Sequence, residues 1–209
     1  MSEYQLHCFA ESGNAYKAAL MLELCGLDWS PEFVDFFNGE TKTPEYREKV
    51  NPLGEVPVLI HGDKSYAQTG VILNFLSEQT GKFGAANKDE EYEILRWILF
   101  DNHKFTSYIG TRRFFMEFMK TGDTEITKFL EDRIMGALDI VEKHLAGRQF
   151  IATPNLSIAD ISMCGYLYYG DELRFDLGKY PNITAWTDRI AATAGWKHPY
   201  DLMPRGFKA

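Results

Sequence analysis

The 209-residue sequence predicts two packed domains, a mixed α/β domain followed by an all-helical one. Three observations predict it. Residues 1–82 alternate between β-prone and helix-periodic segments, no stretch beyond residue 84 reads as a strand, and a short glycine-bearing segment (81–88, GKFGAANK) separates the halves. The expected domains are 1–82 and 88–209.

Residues 4–9 (YQLHCF) alternate and are β-prone, and a turn at 10–13 follows. Residues 14–25 carry a helical apolar face through Ala15, Ala18, Ala19, Leu22 and Cys25, and Gly26 supplies a stop. A second strand is expected over 29–36, then a short helix opened by Pro44 over 44–50. The apolar strand 57–60 (PVLI) turns through 61–64 into a short strand at 65–66. A helix over 69–79 with Val71, Ile72, Phe75 and Leu76 inward closes the domain. In the second half the helical stretches are 89–120, with room for a bend, 124–145, 157–169 and 183–193.

Composition narrows the classes of function. With 45% hydrophobic residues the chain can bury a core. A net charge of −8, with Arg112–Arg113 as the one local basic cluster, argues against nucleic acid as partner, because phosphate contacts need Lys and Arg. The three cysteines (Cys8, Cys25 and Cys164) are far apart, and neither C-x-x-C nor Cys/His ligand spacing occurs. No disulfide framework and no metal site is expected. The five histidines show no ligand spacing either. The N-terminus lacks an apolar signal core, and no apolar run approaches the roughly 18–20 residues of a membrane span. A cytoplasmic chain without membrane partner is the expectation.

Four places could carry chemistry. Ser12 and Asn14 lie at the start of the first helix, where unpaired N–H groups and the positive dipole end favour an anion; each can bind such an anion or simply cap the helix. Val56 precedes Pro57 at the mouth of a strand. A cis bond there would turn the Val56 main chain outward to pair with an extended peptide, whereas a trans bond would make an ordinary loop end. Gln68 and Thr69 open a further helix, whose amino end suits a carboxylate. Ser157-Ile158-Ala159-Asp160 is a capping box and reads as structural.

The segments SGNAYK (12–17), NPLGEVPVL (51–59), YAQTGVIL (66–73) and LSIAD (156–160) stand in an order that resembles the cytosolic glutathione transferase family over essentially the whole chain. Each is weak alone, but four in register are specific. The resemblance implies a thioredoxin-like N-terminal domain, an all-helical C-terminal domain, glutathione as cofactor and a homodimer. Carried over by position, it implies that Val56 pairs with the cysteinyl backbone of glutathione, with Pro57 cis. Gln68 and Thr69 would hold the γ-glutamyl end, Glu55 would be a further cofactor-binding residue, and Ser12 or Asn14 would face the sulfur. The S-x-N spacing is similar to bacterial and fungal members that pair a Ser or Thr with an Asn. Residue 12 is not Cys, so mixed-disulfide chemistry cannot start there. Gln68-Thr69 also replaces the commoner acidic-Ser pair, which implies weaker pairing to the ligand amine. Tyr4 lies too early in its strand for a catalytic tyrosine and reads as structural.

A thiol near pKa 8.5 is only a few per cent thiolate at pH 7, and lowering it by about 2 units takes about 2.7 kcal/mol. A helix N-terminus supplies roughly 0.3–1 kcal/mol, up to about 2 when partly buried. A hydrogen bond to charged sulfur supplies roughly 1.5–3. Ser12, Asn14 and the first helix can together meet the requirement without a side-chain base. The electrophile pocket is expected on the helical domain, from Phe105, Tyr108, Arg112 and Phe115, whose spacing suits one helix face; aromatic residues so spaced also make ordinary core. Three functions compete: conjugation of glutathione to a small apolar electrophile, glutathione-dependent reduction of disulfides or peroxides without a protein cysteine, and a non-catalytic glutathione-binding or interaction role.

Overall fold

The computed structural model describes residues 2–207, and its contacts divide them into two units, 2–82 with 193–207, and 83–192. In the first unit, β1 (Tyr4–Cys8) leads to α1 (Gly13–Cys25), β2 (Trp29–Phe33), α2 (Pro44–Lys49), β3 (Val58–His61), β4 (Lys64–Ala67) and α3 (Thr69–Thr80). The sheet order is β2-β1-β3-β4, with β1 parallel to β2 and antiparallel to β3, and β3 antiparallel to β4. This is the small mixed sheet of the thioredoxin-like class.

Local chemistry explains α1. Ser12 caps it by accepting from the Ala15 amide at 3.1 Å, and Gly26, at φ 70°, ends it in the left-handed conformation that glycine adopts without a Cβ clash. The helix thus starts one residue earlier than the pattern suggests, with Ser12 and not Asn14 as the cap. Strand β2 is also shorter than the expected 29–36. After Phe33 the Val34 amide still reaches Cys8 O at 3.0 Å, but the chain then closes turns on itself through Phe36–Val34 and Gly39–Phe36 bonds. Strand β4 is longer than the expected 65–66, because Lys64 and Ala67 complete its ladder with β3.

The second unit is helical: α4 (Lys88–Phe100), α5 (Thr106–Arg113), α6 (Glu125–Leu145), α7 (Ile158–Cys164) and α8 (Pro181–Ala191). The expected helix 89–120 is α4 and α5 interrupted by wide π turns at Asp101–Phe105 and Phe114–Phe118. The buried Asp101 carboxylate accounts for the first. It accepts from the Thr106 amide (3.3 Å), the Thr106 hydroxyl and Ser162 Oγ (2.7 Å), beside the wide main-chain bond from the Thr106 amide to Asp101 O. Helix α7 stops at Cys164, well short of residue 169. Beyond it Tyr166 lies so near α5 that a Cβ on Gly110 would stand 2.9 Å from its ring.

The capping box at 157–160 forms as expected and does more. Asp160, fully buried, accepts from Ser157 N (2.9 Å), Ser157 Oγ (2.8 Å), Ile151 N (2.7 Å) and Trp186 Nε1 (2.9 Å). It ties the loop before α7 to α8. After α8 the chain joins the first unit, where α9 (Pro199–Leu202) packs on α1. The expected division at 82 and 88 does not anticipate this return of residues 193–207.

Candidate active site

Sheet register decides which ends of the first unit meet. Val58, the first residue of β3, pairs with His7 near the end of β1 and with Ala67 at the end of β4. The segments leaving β1, entering β3 and leaving β4 therefore emerge at one edge. They carry Ser12 and Asn14, Val56 and Pro57, and Gln68 and Thr69 respectively. Thr69 Oγ1 donates to Asn14 O at 3.4 Å, so the amino ends of α1 and α3 lie side by side.

At the α1 end, Ser12 is buried to 7% exposure. Its oxygen accepts from Ala15 N, which leaves the hydroxyl hydrogen free to donate. Among the described residues the amides of Gly13 and Asn14 and the Asn14 side-chain amide have no hydrogen-bond partner. The first turn of α1 thus carries several donors without an acceptor among the described residues. Cys8, the nearest thiol in sequence, is buried, and burial pushes it up to about 12, so it stays protonated. Tyr4 stacks on His61 with ring centroids 4.5 Å apart, and burial raises its phenol pKa.

At the second position the Val56–Pro57 peptide bond is cis. The Val56 N–H and C=O make no hydrogen bond among the described residues. An unsatisfied, half-exposed main-chain pair beside a strand entry is an edge that an extended peptide can complete. At the third, Gln68 is the cap residue of α3 at φ 69°, a conformation that costs a non-glycine residue energy and that the fold here maintains. Its side chain makes no cap bond; Nε2 instead donates to Glu55 Oε2 at 2.7 Å. The amides of Thr69 and Gly70 therefore point out of α3 without a partner among the described residues. The Glu55 carboxylate thus lies beside Gln68 at the start of α3.

A family model described as "Glutathione S-transferase, N-terminal domain" matches residues 12–79, and "Glutathione S-transferase, C-terminal domain" matches 104–194. A glutathione S-transferase from Pseudomonas fluorescens Pf-5, known from its crystal structure, superposes with a TM-score of 0.88 at 33% identity, covering 96% of this chain and 100% of that one. The chain belongs to the glutathione S-transferase family. Glutathione S-transferase F14 of Arabidopsis thaliana is 27% identical across 97% of this chain and 87% of its own. The disulfide-bond oxidoreductase YfcG of Escherichia coli K12 is 24% identical across 87% of each.

In this glutathione S-transferase the four residues expected to line an electrophile pocket divide. Phe105 has no exposure and packs in the helical unit near Phe100 (6.5 Å between centroids). Arg112, 4% exposed, is held by Leu173 O (2.9 Å) and Glu131 (3.1 Å). Both are committed inside the second unit. Tyr108 and Phe115 keep partial exposure. Arg113, its neighbour, is likewise buried, bound to Glu172 at 2.9 Å and stacked 3.8 Å over Tyr169. Sequence reasoning passes over Glu11, which turns out to be 3% exposed and bonded to the tail amides of Gly206 and Phe207. No local signal could reveal it, since its partners lie 195 and 196 positions away.

Proposed function

We propose that this glutathione S-transferase binds glutathione across the amino ends of α1 and α3 and directs its sulfur, as thiolate, at a small apolar electrophile. The observation that carries this is the state of Ser12: its oxygen accepts from the Ala15 amide, and its hydroxyl hydrogen has no acceptor among the described residues, which leaves it available to a ligand. When bound, glutathione supplies the nucleophilic thiol that the protein itself lacks at residues 12 and 15.

The chain's own groups do the rest. Ser12 and the side-chain amide of Asn14 donate to the sulfur, and the Gly13 and Asn14 amides add the positive end of α1. Together these supply about the 2.7 kcal/mol that a drop of about 2 units in thiol pKa needs. Val56 pairs its main chain with the cysteinyl backbone. The Thr69 and Gly70 amides hold the γ-glutamyl carboxylate at the start of α3, and Glu55, steadied by Gln68, faces the γ-glutamyl amine. Tyr108 and Phe115, both partly exposed, serve the electrophile. A homodimer suits the exposed apolar row Tyr92, Leu95 and Leu99 along one face of α4. Three free, buried cysteines suit a reducing cytoplasm.

The test is a titration of thiolate absorbance with glutathione bound to the enzyme. The expected result is a thiol pKa about 2 units below that of free glutathione; an unshifted pKa would reject the activation site. A second reading, reduction of disulfides, is favoured by one observation: a relative across most of the chain is named a disulfide-bond oxidoreductase. Turnover of a small mixed disulfide with none of an aryl halide would select it over conjugation.

A further inference from the structure

Residues 193–207 run along α1 from its carboxyl end to its amino end. Gly195, at φ 91°, comes so close that a Cβ on it would stand 3.0 Å from Glu23 O. Lys197 Nζ pairs with Glu23 at 2.9 Å, and Lys197 O accepts from the Tyr16 hydroxyl at 2.9 Å. Farther along, Pro204 O accepts from Ala10 N at 2.8 Å. The Gly206 and Phe207 amides then donate to the two oxygens of the Glu11 carboxylate, at 2.9 and 3.0 Å, with Arg205 Nε 3.8 Å away. The Phe207 ring packs edge-on against Phe37, 5.2 Å between centroids, and Phe37 against Phe9 at 5.6 Å. The tail is thus bonded to Ala10 and Glu11, the two residues that immediately precede Ser12.

We infer that residues 204–207 form a positioning strap for the thiol-activating turn, with Glu11 as the positioning residue that couples the two. The inference rests on the site proposed above. A buried carboxylate must keep its donors, because removing them leaves an uncompensated charge. The Gly206 and Phe207 amides are two of the donors that compensate the buried Glu11 carboxylate, so the docked tail helps to fix the backbone from which Ser12 projects. A hydrogen-bond donor stabilises a forming or resting anion only within a narrow distance range, so small movements of this turn change thiol acidity.

Charge and position make opposite predictions for Glu11. A carboxylate near the sulfur repels a thiolate, so if Glu11 acted only as a charge, Glu11→Gln would lower the bound thiol pKa. If Glu11 acts through the tail, the same change faces an NH2 toward a backbone N–H, loosens the strap and raises the pKa. Gly206→Pro deletes one tail donor from the other side and leaves the carboxylate charge intact.

The experiment compares wild type, E11Q, G206P and the double variant by thiolate absorbance of bound glutathione. Amide hydrogen exchange of residues 10–13 in the ligand-free enzyme provides a second reading. The expected result is a rise of about one pH unit in each single variant, about tenfold less thiolate below the pKa, with faster exchange at 10–13. The double variant should match the larger single effect, as expected for two ends of one contact. A lowered pKa in E11Q beside an unchanged G206P would overturn the strap, as would unchanged exchange at 10–13 in both. A wild-type thiol that titrates like free glutathione would refute the activation site instead, and the exchange data would still decide whether the tail orders the turn.

Discussion

Ser12→Ala separates the two duties of one hydroxyl. As a cap, Ser12 accepts from the Ala15 amide at 3.1 Å. Losing that bond at a helix amino end costs about 1 kcal/mol of stability, which leaves a domain of ordinary stability overwhelmingly folded. If it donates to a bound thiolate as proposed, the same hydroxyl would contribute roughly 1.5–3 kcal/mol, equivalent to about 1–2 pH units in thiol pKa. The stability loss is therefore small and the loss of acidity large. The assay pairs urea denaturation of the free enzyme with thiolate absorbance of bound glutathione, at constant ionic strength. We expect a slightly lower urea midpoint and a bound thiol pKa raised by 1–2 units, with kcat/KM depressed most on the acid side of the profile. A lowered midpoint with an unmoved thiol pKa would show that Ser12 is a cap and nothing more, and Asn14→Ala, which removes no cap bond, would then have to carry the acidity. Should neither variant move the pKa, α1 is not the activating element.

Three other outcomes follow from the geometry. Glu55→Gln removes the carboxylate that Gln68 steadies at 2.7 Å; since the pair is exposed, calorimetry should find glutathione bound only a few-fold more weakly, in line with about 0.2–1 kcal/mol for exposed charge pairs. Asp160→Ala strands four donors in the interior of the second unit, and urea melts should lose about 3–5 kcal/mol; Asp160→Asn should lose less, because the amide oxygen retains part of the set. Leu95→Arg, in the exposed row on α4, should shift sedimentation from dimer toward monomer, and a wild-type enzyme that already sediments as a monomer would reject the dimer.

What the sequence reveals and conceals here divides by range of interaction. Ser12, Gly26 and the 157–160 box are legible because a cap acts within three or four residues, and the structure forms all three. The meeting of Val56, Gln68 and Ser12 depends instead on Val58 pairing with both His7 and Ala67, a register no local pattern specifies. Only the family resemblance pointed to it. The helical unit misleads for a different reason. Phe105, Tyr108, Arg112 and Phe115 share a face only on a helix of uniform pitch, and a π turn takes up an extra residue and rotates everything beyond it. Phe105 lies inside the first such turn and Phe115 inside the second, whereas Tyr108 and Arg112 both lie on regular α5, where Leu173 O and Glu131 hold Arg112 in the core and Tyr108 remains partly exposed. The first of these turns is held by Asp101, whose partners Thr106 and Ser162 lie on α5 and α7. Under the proposed function, the face that α5 would offer an electrophile depends on a buried carboxylate in the same helical unit. Substitutions at Asp101 should alter electrophile preference before they alter the thiol pKa, because α1 and its donors belong to the other unit.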